Sequence, residues 1–305
     1  MKHLRTLLDW TADDMAATLD LAAALKAEAR AGTRRELLAR RVLVQIFEKP
    51  SLRTRASFEA AMIQLGGQGL FFTAKDVGLD GRESLEDVAR VVGGYADVIT
   101  LRTFAQRTVD VFAELSAASV VNALTDDFHP CQALTDLLTV REHFGADVPG
   151  RVVYVGDGNN VAKSLVLGCG LAGVAVTVAS PTGFAMPQAF VAEAREHCPR
   201  LDLVETDDPR AAVAKAAVVY TDVWASMGQE AEKESRAKAF ADFQVNDDLL
   251  SAAPNDAVVL HCLPARRGLE VTDAVMESPR CLAFPQAENR MHAAKAVFAR
   301  LLGVA

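Results

Sequence analysis

The chain has 305 residues, half of them hydrophobic, and a formal net charge of −8; it can bury the cores of two ordinary domains and offers no basic face for nucleic acid. Its cysteines (Cys131, Cys169, Cys198, Cys262 and Cys281) are odd in number and show no C-x-x-C spacing, which speaks against a disulfide framework and a thiolate zinc site. The longest nearly apolar stretch, Leu165 to Ala179, is broken by Gly168, Gly170 and Gly173 and is shorter than the ~18 residues of a membrane helix, and the opening MKHLRTLLDWTADD turns acidic before any apolar run, so no membrane partner or secretory leader is expected and the cytoplasm is the expected location.

Short β-branched runs alternate with helical stretches along the whole chain, the pattern of parallel βαβ units. In the first half the expected strands are Val42–Phe47, Leu70–Thr73, Val98–Arg102 and Ser119–Ala123. After the first comes Pro50 and then Ser51-Leu52-Arg53-Thr54-Arg55, followed by apolar residues at helical spacing, Phe58, Met62 and Leu65. The first N–H groups of a helix lack internal partners and carry the positive end of its dipole, so a hydroxyl cap and guanidinium groups placed there complete an anion site. A capped helix start with solvated arginines is the plain alternative. Arg102 and Thr103 end the third strand; His129-Pro130-Cys131-Gln132 comes shortly after the fourth, where a histidine and an amide can address the carbonyl and amide of one small planar group.

Turn residues at Ala146-Asp147-Val148-Pro149-Gly150 mark the expected boundary, giving domains 1–146 and 147–286, with an amphipathic helix over 287–302 folding back on the first. The second half carries expected strands Val152–Val155, Val174–Ala179, Leu201–Val204, Val218–Thr221 and Val258–Leu260. Two doubly wound α/β domains, each a mostly parallel sheet flanked by helices, fit this order better than one large sheet. Gly156-Asp157-Gly158-Asn159-Asn160 lacks the third glycine of a dinucleotide fingerprint, since Val161 stands there. The glycines then read as a tight strand-to-helix turn, while the asparagine amides suit a zwitterionic ligand. Asp222 and Ser226, four apart across Trp224, form either a polar loop or a clamp for amine and carboxylate. Cys262, between His261 and Pro264, is either an activated thiol or a packed one. Arg290 is placed at the opening of the last helix, where a solvated charge is the ordinary expectation.

Apart from Arg290, these clusters follow the ends of six expected strands, the place where open parallel sheets bind ligands. Taken together they resemble the aspartate/ornithine carbamoyltransferase family, and within it the ornithine branch. SLRTR is similar to the family's S-T-R-T-R motif, HPCQ to its H-P-x-Q motif, DVWASMG to the ornithine-side S-M-G loop and HCLP to that branch's cysteine loop; GDGNN and ENRMH match as well. The resemblance implies carbamoyl transfer from carbamoyl phosphate to the δ-amine of L-ornithine, with no metal or organic cofactor, in a homotrimer or a multiple of trimers. It assigns Ser51, the Leu52 backbone, Arg53, Thr54, Arg102, His129, Gln132, Cys262, Leu263 and Arg290 to carbamoyl phosphate. Asn160, Asp222, Ser226 and Met227 fall to ornithine, and Arg102, His129, Cys262 and Asp222 to the reacting centre. Two positions depart from the family pattern: Leu52 replaces the usual threonine, and Gly78 stands where many relatives carry a glutamine or histidine that reaches across a subunit contact. N-acylated ornithines and putrescine are the rival amine substrates. With phosphate groups in the first half and amino-acid groups in the second, carbamoyl phosphate is expected to bind first.

Overall fold

A computed structural model describes residues 2–79, 81–145, 147–225 and 230–305. The chain divides into two compact units, Met1–Leu138 with Glu288–Ala305, and Thr139–Ala287. The divisions fall inside two helices, Pro130–Phe144 and Ala283–Leu301. Ala146, at the expected domain boundary, lies outside the described residues.

The first unit is built on a four-stranded parallel sheet: β1 (Val42–Phe47), β2 (Gln68–Thr73), β3 (Val98–Arg102) and β4 (Ser119–Leu124), in the order β2-β1-β3-β4. The second is a five-stranded parallel sheet of β5 (Arg151–Val155), β6 (Val176–Ala179), β7 (Leu203–Thr206), β8 (Ala216–Thr221) and β9 (Val258–His261), in the order β7-β6-β5-β8-β9. Helices cover the sheets, so the interior strands β3 and β8 are buried at every position, which is why, apart from Arg102 at the end of β3, they read as apolar or β-branched runs. At the edge, β2 is partly exposed along its length, and its two outermost residues, Gln68 and Gly69, carry no apolar signal, so the strand begins earlier than its sequence announces. The opposite holds for β6, which starts at Val176: Gly173 caps the helix before it, and the Val174 N–H bonds back to the Cys169 carbonyl of that helix.

In the first unit, Val44, Ile46, Ile99, Leu101 and Val120 from the sheet pack with Val88, Val109 and Phe112 from two helices; burying such side chains contributes about 1.5–3 kcal/mol each. The second unit's core surrounds Phe240, whose ring lies 5.7 Å from Trp224 and 4.7 Å from Phe184. The last helix starts at Ala283, earlier than the expected residue 287, because Pro285 is tolerated in a first turn whose N–H groups have no helical partner. From Glu288 onward it belongs to the first unit, where Phe298 stacks on Phe58 at 5.7 Å. Buried polar anchors hold it: Lys26 donates to Asn289 at 2.6 Å, and Lys295 donates to Gln64 at 2.6 Å. Among the described residues, no helix is long and apolar enough to cross a membrane.

Candidate active site

The register of the first sheet puts Phe47 at the end of β1 opposite Arg102 at the end of β3, so the loops that follow these strands share one edge. There the helix Leu52–Gln64 begins. Ser51 caps it, accepting from the Thr54 N–H at 3.4 Å and donating its own hydroxyl to Thr54 Oγ1 at 2.9 Å. Leu52 is the first helical residue and is 81 % exposed, so its side chain takes no part in the buried cluster. Arg53 follows, half-buried, and Thr54 is buried.

Thr54 is the hub of this cluster. Its Oγ1 accepts from Arg102 Nη1 at 3.4 Å and from Arg290 Nη2 at 3.0 Å, so two guanidinium groups converge on one hydroxyl at the positive end of a 13-residue helix. Arg290 Nη1 also donates to Gln132 Oε1. The Gln132 amide nitrogen donates to Asp136 at 2.7 Å, which fixes the direction of that amide. Arg290 does not open its helix, as the sequence reading has it, nor is it solvated: it lies beyond the first turn of Ala283–Leu301 and is 7 % exposed. His129 precedes the helix Pro130–Phe144 and is buried. Burial first, then the Arg290 and Arg102 charges, hold its pKa well below the usual histidine value, so the imidazole is neutral at pH 7 and presents both a donor and an acceptor. Ser51, Thr54, Arg102, His129, Gln132 and Arg290 are thereby brought into one buried, cationic cluster.

Lys49 belongs to the same loop and was not singled out from sequence. It is 5 % exposed, lies 2.5 Å from Asp126 Oδ1 and sits 4.0 Å over the Phe104 ring. A lysine placed directly before Pro50, two residues past the apolar end of β1, was the available signal. Gly78 has φ +77°, and a Cβ there would meet the Arg82 guanidinium at 3.2 Å.

In the second unit the register aligns Val155 with Thr221 and Thr221 with His261, which sets the loops after β5, β8 and β9 side by side. Gly158 lies so close to the backbone of Met186 that a Cβ would come within 2.4 Å of its nitrogen; the glycine serves close packing of the turn, as expected. Asn159 caps the helix Asn160–Ala172, its Oδ1 accepting from the N–H groups of Val161 and Ala162 at 2.9 and 3.1 Å. That cap directs the Asn159 Nδ2 toward Asp222 Oδ2 at 3.4 Å, a contact the sequence reading missed by emphasising its neighbour. Asn160 is the first residue of the helix and partly buried. Asp222 is 6 % exposed, and its other oxygen accepts from Cys262 Sγ at 3.1 Å. Leu263, next along, adopts φ +57°. Ser226 and Met227 lie outside the described residues.

Just beyond, Arg236 ties two of these loops together. It donates to Asp157 at 2.7 Å, to the Trp224 carbonyl at 3.0 Å and to Glu232 at 2.8 Å. Burial raises the Asp157 pKa in spite of this partner. Asp222, His261 and Cys262 present donor atoms within 4.8 Å of one another. Both ring nitrogens of His261 are engaged inside the protein, however, by the Leu263 N–H and by Glu270, and an imidazole so committed has no lone pair for a metal.

Comparison with known proteins agrees with this division of chemistry. The profile of the carbamoyl-P binding domain of aspartate/ornithine carbamoyltransferases matches residues 2–142, and that of the Asp/Orn binding domain matches residues 150–301. The ornithine carbamoyltransferase of Acidothermus cellulolyticus is 49 % identical over 309 residues, covering 100 % of this chain and 98 % of the relative. That of Desulfotalea psychrophila is 45 % identical, covering 99 % of each. Among solved structures, ornithine carbamoyltransferase from Pyrococcus furiosus superposes with a TM-score of 0.95 at 44 % identity, covering 99 % of this chain and 97 % of that one. The Thermus thermophilus structure has a TM-score of 0.89 at 41 % identity, covering 99 % of each chain. Fold, site and likeness define a carbamoyl-group transferase made of two parallel α/β units. The chain belongs to the aspartate/ornithine carbamoyltransferase family.

Proposed function

We propose that the protein transfers the carbamoyl group of carbamoyl phosphate to the δ-amine of L-ornithine, giving L-citrulline and phosphate. The observation that carries this reading is the Thr54 hub, where Arg102 and Arg290 meet at a helix start. It is supported by the full-length likeness to proteins named ornithine carbamoyltransferase. Ser51, the Leu52 N–H, Arg53 and Thr54 take the phosphate, whose planar oxygen pairs suit guanidinium forks. Arg102, His129 and Gln132, with Cys262 and Leu263, hold the carbamoyl group, and Arg290 closes the anion site. Asn160, Asp222, Ser226 and Met227 bind ornithine.

In the reaction the amine nitrogen bonds to the carbonyl carbon and the C–O bond to phosphate breaks. Negative charge develops on the carbonyl oxygen, where the Arg102 guanidinium, the neutral His129 ring and the Thr54 hydroxyl donate; such preorganised donors typically supply the largest part of catalysis. The δ-amine has to be neutral to attack, against a free pKa of about 10.4 for a lysine-like amine. Asp222 and Cys262 orient it, and the leaving phosphate accepts its proton, so no protein base is required.

The remaining features of this reading follow the family. Residues 1–146 form the carbamoyl-phosphate domain, 147–286 the ornithine domain, and 287–305 a returning helix. The active form is a homotrimer or a multiple of trimers in the cytoplasm, working in arginine biosynthesis or in the reverse, catabolic direction, and needing no metal or organic cofactor. A ureido-product assay with carbamoyl phosphate and ornithine, N-acetylornithine, N-succinylornithine, putrescine and aspartate tests the substrate. Ornithine is expected to be carbamoylated with the highest kcat/KM, and a clear preference for any other amine would overturn the reading.

A further inference from the structure

Three buried side chains that the reaction does not use surround the backbone of the Cys262–Leu263 loop. His261, the last residue of β9, and Glu270 are both fully buried, and Gln286 is 1 % exposed. Gln286 Oε1 accepts the His261 N–H at 2.9 Å. The imidazole Nδ1 accepts the Leu263 N–H at 2.9 Å, and Nε2 lies 3.2 Å from Glu270 Oε1. That same carboxylate oxygen accepts the Arg266 N–H at 2.5 Å.

The direction of each bond follows from the backbone. A peptide N–H can only donate, so the Nδ1 facing Leu263 carries no proton, and the ring proton sits on Nε2, where it is donated to Glu270. The ring's one free lone pair is therefore spent on a peptide. This bond ties down Leu263, whose φ of +57° is a left-handed conformation that a residue with a side chain rarely adopts. Cys262 stands between the two tied residues, and its Sγ is the atom that reaches Asp222 at 3.1 Å.

We propose that His261 and Glu270 are positioning residues: the imidazole spans from the buried carboxylate to the Leu263 peptide and holds the turn that sets Cys262 on Asp222, without passing a proton. A histidine and a carboxylate beside a cysteine invite a proton-relay reading. The occupied Nδ1 lone pair argues against it, because taking a proton from Cys262 there would break the Leu263 bond. The proposal rests on the assignment of Asp222 and Cys262 to the reacting amine.

Four variants separate positioning from relay. Glu270→Gln keeps an oxygen that accepts from both Arg266 and His261 but cannot take part in proton transfer. Glu270→Ala removes the support. His261→Asn keeps an acceptor where Nδ1 stood, whereas His261→Ala does not. Steady-state kinetics with carbamoyl phosphate and ornithine, run from pH 6 to 10 on protein whose circular dichroism matches wild type, give the readout. Positioning is expected to leave Glu270→Gln within roughly threefold of wild-type kcat/KM for ornithine, with an unshifted pH profile. The alanine variants are expected to fall by roughly 100-fold, the usual cost of misplacing a reacting group by about 1 Å, with His261→Asn lying above His261→Ala. A folded Glu270→Gln enzyme with a 30-fold or greater loss, or a moved pH profile, would overturn the proposal whether or not the alanine variants fold. So would folded alanine variants with full activity. If wild-type protein carbamoylates another amine and not ornithine, it is the substrate reading that fails, and the same ratios measured on that amine still decide the role of the pair.

Discussion

Replacing His129 by asparagine isolates the electrostatics of the anion site from the rest of the fold. Burial and the Arg290 and Arg102 charges depress the pKa of His129, so the folded protein refuses a proton that the unfolded chain accepts below about pH 6.5. The unfolded state then binds more protons, and stability is complete above pH 6.5 and declines as pH falls below it. The slope approaches about 1.4 kcal/mol per pH unit wherever the unfolded ring is protonated and the folded one is not. His3, lowered to about 4 by burial and by Lys2 and Arg5, adds a smaller decline because its half-exposed ring is screened by solvent, and it is present in both proteins and cancels in the comparison. Asp14, held down chiefly by hydrogen bonds from Thr11 and by Arg300 against the opposing effect of burial, acts at lower pH. Urea unfolding of wild type and His129→Asn at pH 7, 6 and 5 measures the effect. The variant is expected to show a shallower decline below pH 6.5, by up to about 1.4 kcal/mol per pH unit, with carbamoyl transfer reduced because the ring donor is gone. Equal pH slopes for the two proteins would refute the claim that the cationic cluster keeps His129 neutral.

Arg53→Ala is expected to lower kcat/KM for carbamoyl phosphate by roughly 10- to 100-fold, the worth of one or two charge-assisted hydrogen bonds, with an unchanged melting temperature; kinetics near wild type would remove Arg53 from the phosphate site. Asp222→Asn is expected to raise KM for ornithine and lower kcat while leaving carbamoyl-phosphate KM unaltered, and a variant impaired only toward carbamoyl phosphate would contradict the assignment. Gly78→Gln places a long side chain at a φ of +77° beside Arg82, so it is expected to cost about 1–2 kcal/mol, seen as a melting temperature lower by several degrees; an unchanged value would show that the turn relaxes freely.

Much of this protein is written locally. Strands buried on both faces announce themselves as β-branched runs, so β1 to β9 are legible to within two residues at each end; Gln68 and Gly69 hide the start of edge strand β2, Ala216 and Ala217 that of β8, and edge strand β7 lies at Leu203–Thr206, two residues later than the expected Leu201–Val204. The Ser51 cap is likewise a local device, for a hydroxyl three residues from the N–H it accepts needs nothing from the rest of the chain. The motifs that mark the site are local in the same way, because each is a short loop leaving one strand.

Their meeting is not local. Arg290 reaches Thr54 across 236 residues of sequence, and Cys262 reaches Asp222 across 40. In a parallel sheet every strand ends at the same edge, while spatial order differs from chain order: β1 lies between β2 and β3, and β5 lies between β6 and β8. Only that arrangement turns an arginine that reads as a solvated helix charge into a buried clamp, chooses Asn159 over Asn160 as the partner of Asp222, and spends both nitrogens of His261 inside the fold. Sequence determined which chemical groups stand at which strand ends, since composition and spacing act over a few residues. Tertiary structure decided which of them share a hydrogen bond and which are withdrawn from water, since burial and register are properties of the assembled sheet.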